Sequence, residues 1–126
     1  MKPGAVLFLP CAAGVEALLG EECLRLLGPG ARVLVGRGGV TVHGDALAAM
    51  RLNLGSRLAQ RVLWRLAQGR YGHELDLYEL ARTVPWEHWI TPRETLRIDT
   101  TAVRSPLRSL NFATLRIKDA VCDALR

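Results

Sequence analysis

The chain alternates apolar and polar positions with two different periods. Residues 6–9 form a short continuous apolar run closed by Pro10, the pattern of a buried strand. Val15, Leu18, Leu19, Cys23, Leu26 and Leu27 then recur at steps of three and four. With Glu16, Glu21 and Glu22 in the early turns and Gly28-Pro29-Gly30 as a stop, this predicts an amphipathic helix. Residues 32–35 and 40–43 are β-rich and are separated by Gly36-Arg37-Gly38-Gly39, which can supply the positive φ angles of an antiparallel hairpin. Asp45 is placed to cap a helix running through Leu47, Met50, Leu52 and Leu54 to Gly55, and residues 58–67 alternate as a strand does.

The order strand, helix, strand, strand, helix, strand is the ferredoxin-like βαββαβ arrangement, with two helices on one face of a four-stranded antiparallel sheet. It occupies residues 1–70. Residues 71–126 change style. Leu75, Leu77, Leu80 and Ala81 predict a short helix that must end before Pro85, because proline excludes helical geometry at Val84. Trp86 and Trp89 follow in a turn and read as packing anchors in preference to stacking platforms. Residues 95–101 alternate Leu96 and Ile98 with polar neighbours, as a half-exposed strand would. Residues 111–125 place Leu115, Val121, Cys122 and Leu125 at helical steps. A βα unit ending on a helix ordinarily continues into another strand, so the second module reads as unfinished and the chain as a fragment. The fold class is α+β.

Composition adds a direction. The 126 residues, 49% hydrophobic and 23% charged, suit one compact domain or two small ones and argue against disorder. Cys11, Cys23 and Cys122 are odd in number and lack CxxC spacing, which fits a reducing cytoplasm and supports neither a disulfide framework nor a zinc site. No apolar run is long enough to span a bilayer. The net charge of +5 is unevenly placed: residues 1–50 carry four basic and four acidic side chains, residues 51–126 thirteen and eight. Two segments lack acids altogether, residues 46–73 and residues 100–118.

In the first of these segments Arg57, Arg61 and Arg65 are spaced by four, which places them on one face of a helix or of a strand. Arginine binds phosphate through a planar fork, so the stripe suits RNA. A solvated strand face with Arg stems over a sheet edge would carry the same pattern. In the second segment Arg104, Ser105, Arg108, Ser109 and Asn111 lie between a strand and a helix, where unpaired N–H groups favour an anion. His43, His73 and His88 are scattered without metal-ligand spacing. Glu21-Glu22 and Asp119 with Asp123 read as solvated helix-face acids without partners, and Cys23 and Cys122 as members of apolar stripes. No catalytic residue and no metal site is assigned.

Together the residues resemble the N-terminal half of bacterial THUMP-domain RNA methyltransferases that modify a guanine exocyclic amine in large-subunit ribosomal RNA. The carriers in the first module are Cys11-Ala-Ala-Gly14-Val-Glu16-Ala-Leu-Leu19 with Glu21-Glu22 and Leu27-Gly28, then Gly38-Gly39-Val-Thr-Val-His43-Gly44-Asp45, then Leu54-Gly-Ser56-Arg57-Leu-Ala59-Gln-Arg61-Val. Those in the second are Asp76-Leu77-Tyr78, Trp86, residues 95–99, Arg108-Ser109 and Lys118-Asp119-Ala120-Val121. The resemblance implies a ferredoxin-like module over residues 1–70 and a partial THUMP module over residues 71–126, together the RNA-binding arm of a methyltransferase. S-adenosylmethionine is then expected on a catalytic domain absent from this chain and no cofactor on the chain itself, which is expected not to be catalytic alone. Arg57, Arg108, Ser109 and Lys118 are the RNA-facing candidates by family match; Arg61, Arg65 and Arg104 join them from the acid-free segments. The expected partner is structured RNA, ribosomal ahead of transfer RNA. Two rival readings stay open: the arm of a transfer-RNA-modifying THUMP enzyme, or a ferredoxin-like regulatory or protein-interaction module.

Overall fold

The computed structural model describes residues 5–102, 105, 107 and 109–126. They fall into two compact units, Met1–Leu66 and Ala67–Arg126.

The first unit has β1 (Ala5–Pro10), α1 (Glu16–Leu27), β2 (Arg32–Gly36), β3 (Gly39–Gly44), α2 (Ala46–Gly55) and β4 (Leu63–Arg65). The strands form one sheet in the order β2-β3-β1-β4, every neighbouring pair antiparallel. This is the βαββαβ order that the hydrophobic pattern predicts. The hairpin turn between β2 and β3 uses one left-handed residue, Gly38, at φ 82. Register fixes what is buried: Leu9 lies opposite Val40, and Leu7 opposite Val42. All four are fully buried, in one cluster with Leu19 and Cys23 from α1 and Ala49 and Leu52 from α2. Because side chains alternate along a strand, both helices therefore pack on the same face of the sheet. Mid-helix Gly20 marks how closely α1 approaches β2, since a Cβ there would stand 2.6 Å from Val35 Cγ2.

β4 is shorter than the alternation of residues 58–67 predicts, and hydrogen bonding explains why. The N–H groups of Arg57 and Leu58 donate to Glu22, that of Ala59 to Ser56 Oγ, and that of Gln60 to the Pro10 carbonyl. The Leu58 and Ala59 donors, taken by Glu22 and Ser56, cannot enter a ladder; the Gln60 N–H makes the first contact with β1, and regular pairing runs over Leu63–Arg65.

The second unit has α3 (Glu74–Arg82), a 3₁₀ turn (Trp86–His88) and α4 (Leu110–Leu125). Asp76 caps α3, its Oδ2 accepting the N–H groups of Gly72 and His73 at 2.7 and 3.2 Å. α3 packs against α4 around Ala81, Val84, Ala113, Ala120 and Val121, all buried. Trp86 anchors its turn as expected, its indole N–H donating to the Ala81 carbonyl at 2.7 Å. Two expectations fail in this unit. Residues 95–101 form no strand: an alternating segment becomes one only when a neighbour completes its ladder, and no described residue does so. Leu115 and Cys122, placed by periodicity on the buried stripe of α4, are exposed, the burial falling instead on the small residues Ala113 and Ala120 that let α3 approach.

The α2 cap gives a direct check on this account. Asp45 Oδ1 accepts the Ala48 N–H at 2.9 Å, so Asp45→Ala should cost about 1 kcal/mol. In urea unfolding this should lower the midpoint with the slope unchanged.

Candidate nucleic-acid interface

The segment between α2 and β4 carries Arg57 and Arg61 and is positioned by one buried carboxylate. Glu22, only 6% exposed, reaches across from α1. Its Oε1 accepts the Ser56 hydroxyl at 2.5 Å and the Leu58 N–H at 3.4 Å, and its Oε2 accepts the Arg57 N–H at 3.0 Å. Burial works to raise the Glu22 pKa. The Ser56, Arg57 and Leu58 hydrogen bonds and the nearby Arg25 charge outweigh it, leaving the carboxyl below its ordinary value. The expectation of a solvated, unpartnered Glu21-Glu22 pair is thus wrong for Glu22. Three donors turned inward make the helix face that carries it polar yet buried, which hydrophobic periodicity cannot register. A second acid of α1 does related work: Glu16 accepts the N–H of Gly14 at 2.6 Å and that of Gly38 at 3.1 Å, tying the start of α1 to the hairpin turn.

The structure separates the arginine stripe. Arg57 and Arg61 lie on the irregular segment and Arg65 on β4, so the spacing of four does not translate into a shared face of one element. All three are exposed, and among the described residues none forms an ion pair. Lys118 is likewise exposed and without an ion pair, but it lies more than two turns into α4, not at the helix start. Ser109 is the N-cap of α4, its Oγ accepting the Phe112 N–H at 3.4 Å, and so takes the ordinary capping role. Arg104 and Arg108 lie outside the described residues.

The chemistry of the remaining reactive groups is structural. Burial, with a smaller push from Glu22, raises the Cys23 thiol to about 11, so this cysteine behaves as a core hydrophobe. Asp123, expected to be solvated and unpartnered, accepts the Tyr78 hydroxyl at 2.6 Å and joins α3 to α4. Gly36-Arg37-Gly38-Gly39 turns one strand into the next and opens no helix, so it is not a phosphate-binding loop.

Glu22 makes the first unit pH-sensitive in a defined direction. Its folded pKa is depressed, so its contribution is complete well above about pH 4.3, the unfolded value, and is lost as pH falls through the folded value. Stability measured by urea unfolding between pH 7 and pH 3 should therefore fall with acid, and Glu22→Gln should flatten part of that fall. Glu22→Ala, which strands three donors, should cost about 1–3 kcal/mol at pH 7.

Comparison with known proteins agrees with this architecture. Residues 6–63 match the family model of the RlmL ferredoxin-like domain, and residues 71–126 that of the THUMP domain. Proteins described as ribosomal RNA large subunit methyltransferase K/L from Syntrophotalea carbinolica and Cellvibrio japonicus are 40% and 35% identical over 119 residues, 94% of this chain. The chain spans only 16% of the length of either relative. A solved structure described as a predicted N6-adenine-specific DNA methylase from Listeria monocytogenes is 29% identical with a TM-score of 0.89, covering 98% of this chain and 32% of that one. A possible methylase from Clostridium difficile 630, at 23% identity and a TM-score of 0.87 over 97% of this chain and 32% of that one, shares the fold. With two domain models matched in order along one chain, and relatives aligned through both, the chain belongs to the family of proteins that join an RlmL-type ferredoxin-like domain to a THUMP domain.

Proposed function

We propose that this chain is the RNA-binding arm of a ribosomal RNA methyltransferase, holding structured RNA for a catalytic domain outside these 126 residues. The observation that carries the reading is the pair of acid-free segments, residues 46–73 and 100–118, whose exposed cations include Arg57, Arg61, Arg65 and Lys118, none of them in an ion pair among the described residues, in a chain whose relatives are described as large-subunit ribosomal RNA methyltransferases. An Arg already paired to a carboxylate would have to give up that partner to meet a phosphate, whereas these need shed only water. Arg104 and Arg108, which lie outside the described residues, and Ser109, the N-cap of α4, are further candidate contacts in this proposal. Contacts of this kind position a folded RNA through its phosphates and shape and do not specify bases. S-adenosylmethionine, the methyl donor in this proposal, is assigned to the catalytic domain, with the arm contributing placement of the target.

The test is fluorescence-anisotropy binding of the chain to a large-subunit ribosomal RNA hairpin, with a transfer RNA and a DNA duplex as comparators, across salt. Neutralising about four phosphates gives a log–log salt slope of about −3 to −4. Arg57→Glu and Lys118→Glu should each weaken hairpin binding several-fold, and unchanged binding in both would remove this surface from consideration. Preference for the transfer RNA would favour the arm of a transfer-RNA-modifying enzyme. Absence of binding at every salt concentration would favour a regulatory module.

A further inference from the structure

The two helices of the first unit take one face of the sheet, and cross-strand register decides what the other face presents. One row across it reads Arg32, His43, Val6, Arg65. The next reads Leu34, Thr41, Phe8, Leu63. None of these side chains is buried, and Leu34 and Leu63 are 49% and 42% exposed. Arg32 and Arg65 stand on the two edge strands, three strand spacings or about 14–15 Å apart. The carboxylates of this unit are elsewhere: Glu16, Glu21 and Glu22 on α1, and Asp45 at the start of α2.

At the centre of the face is Phe8, on the inner strand β1. A Cβ at Gly39 would stand 2.7 Å from Phe8 Cζ and 2.5 Å from the Leu9 carbonyl oxygen. The missing side chain at residue 39 is therefore what lets the ring lie against the sheet. His43, two residues beyond Thr41 on β3, is the diagonal neighbour of Phe8 and adds a second planar ring to the same face.

We propose that this open sheet face binds a single-stranded RNA segment, with bases stacked on Phe8 and beside His43 and phosphates paired to Arg32 at one edge and Arg65 at the other. The proposal deepens the RNA-arm reading and rests on it. Aromatic rings on a sheet take splayed-out bases without sequence preference, and flanking cations track the backbone. A protein partner of ordinary composition would find the apolar strip interrupted by Thr41 and His43 and bounded by two cations with no anion to offset them. Spacing alone groups Arg65 with Arg57 and Arg61; the sheet register places it instead in a row with Arg32.

The experiment titrates the full ¹⁵N-labelled chain with an unstructured pyrimidine RNA hexanucleotide, followed by amide chemical shifts and by anisotropy. A blunt-ended ribosomal RNA hairpin closed by a tetraloop with stacked bases, which offers no unstacked strand, serves as a second probe. Amide shifts should concentrate on β1, β2 and β3. Phe8→Leu should weaken hexanucleotide binding about tenfold. Arg32→Gln should reduce the magnitude of its log–log salt slope by about 0.7. Both variants should keep the far-ultraviolet circular dichroism of the parent and bind the blunt hairpin as before. Shifts centred on α1 and α2, or equal weakening of both probes by the variants, would overturn the proposal. So would shifts on the sheet face that follow protein concentration and not RNA, which would assign it to a second copy of the chain. A chain that binds the hexanucleotide through this face but not the hairpin keeps the sheet site and overturns the arm reading. One that binds the hairpin alone overturns the sheet site and keeps the arm.

Discussion

A single buried carboxylate governs how the first unit closes. Glu22 faces inward from α1 and takes hydrogen bonds from Ser56, Arg57 and Leu58, on the segment that leaves α2. A carboxylate taken out of water is tolerated only when its oxygens are satisfied. Here two of the donors are the backbone N–H groups of Arg57 and Leu58, which would otherwise be unpaired, and the third is the Ser56 hydroxyl, so each group answers the other's desolvation cost. The Gln60 N–H then reaches the Pro10 carbonyl at 2.8 Å. By that point the chain is already alongside β1, and the three residues of β4 complete the sheet.

The same clamp links stability to the proposed interface. Arg57 donates its backbone N–H inward to Glu22 while its side chain is exposed. An irregular segment held by side-chain acceptors presents cations at fixed positions without the regular face that a helix or strand would impose. The sheet supplies a second, flatter surface whose charge comes from Arg32 and Arg65 at its edges. The two surfaces differ in the chemistry they suit: phosphates of folded RNA at the first, unstacked bases at the second.

The second unit is organised by small residues and paired polar groups. Ala81, Ala113 and Ala120 allow α3 and α4 to approach closely, and the Tyr78–Asp123 hydrogen bond fixes their register. The Thr100 and Thr114 hydroxyls, 2.5 Å apart, tie Thr100 to α4. Lys118 stays exposed because the turn of α4 that carries it places Ala120 and Val121 inward.

By itself the sequence determined the element order of the first unit, the hairpin, the Asp45 cap and the α+β class, because each rests on local periodicity or on a residue whose backbone preference is strong. The order and spacing of its motifs also carried the family likeness. Tertiary structure alone decided the rest. It kept Leu58 out of β4, since the hydrogen bond that takes its N–H comes from Glu22, far away in sequence. It made Glu22 and Asp123 partners of distant groups, where a helical repeat records only that a polar residue recurs. It divided the arginine stripe, because spacing describes a face only if the segment is regular, and residues 56–62 are not. And it brought Arg65 into line with Arg32 across four strands, a neighbourhood created by strand pairing and invisible to any reading confined to nearby positions.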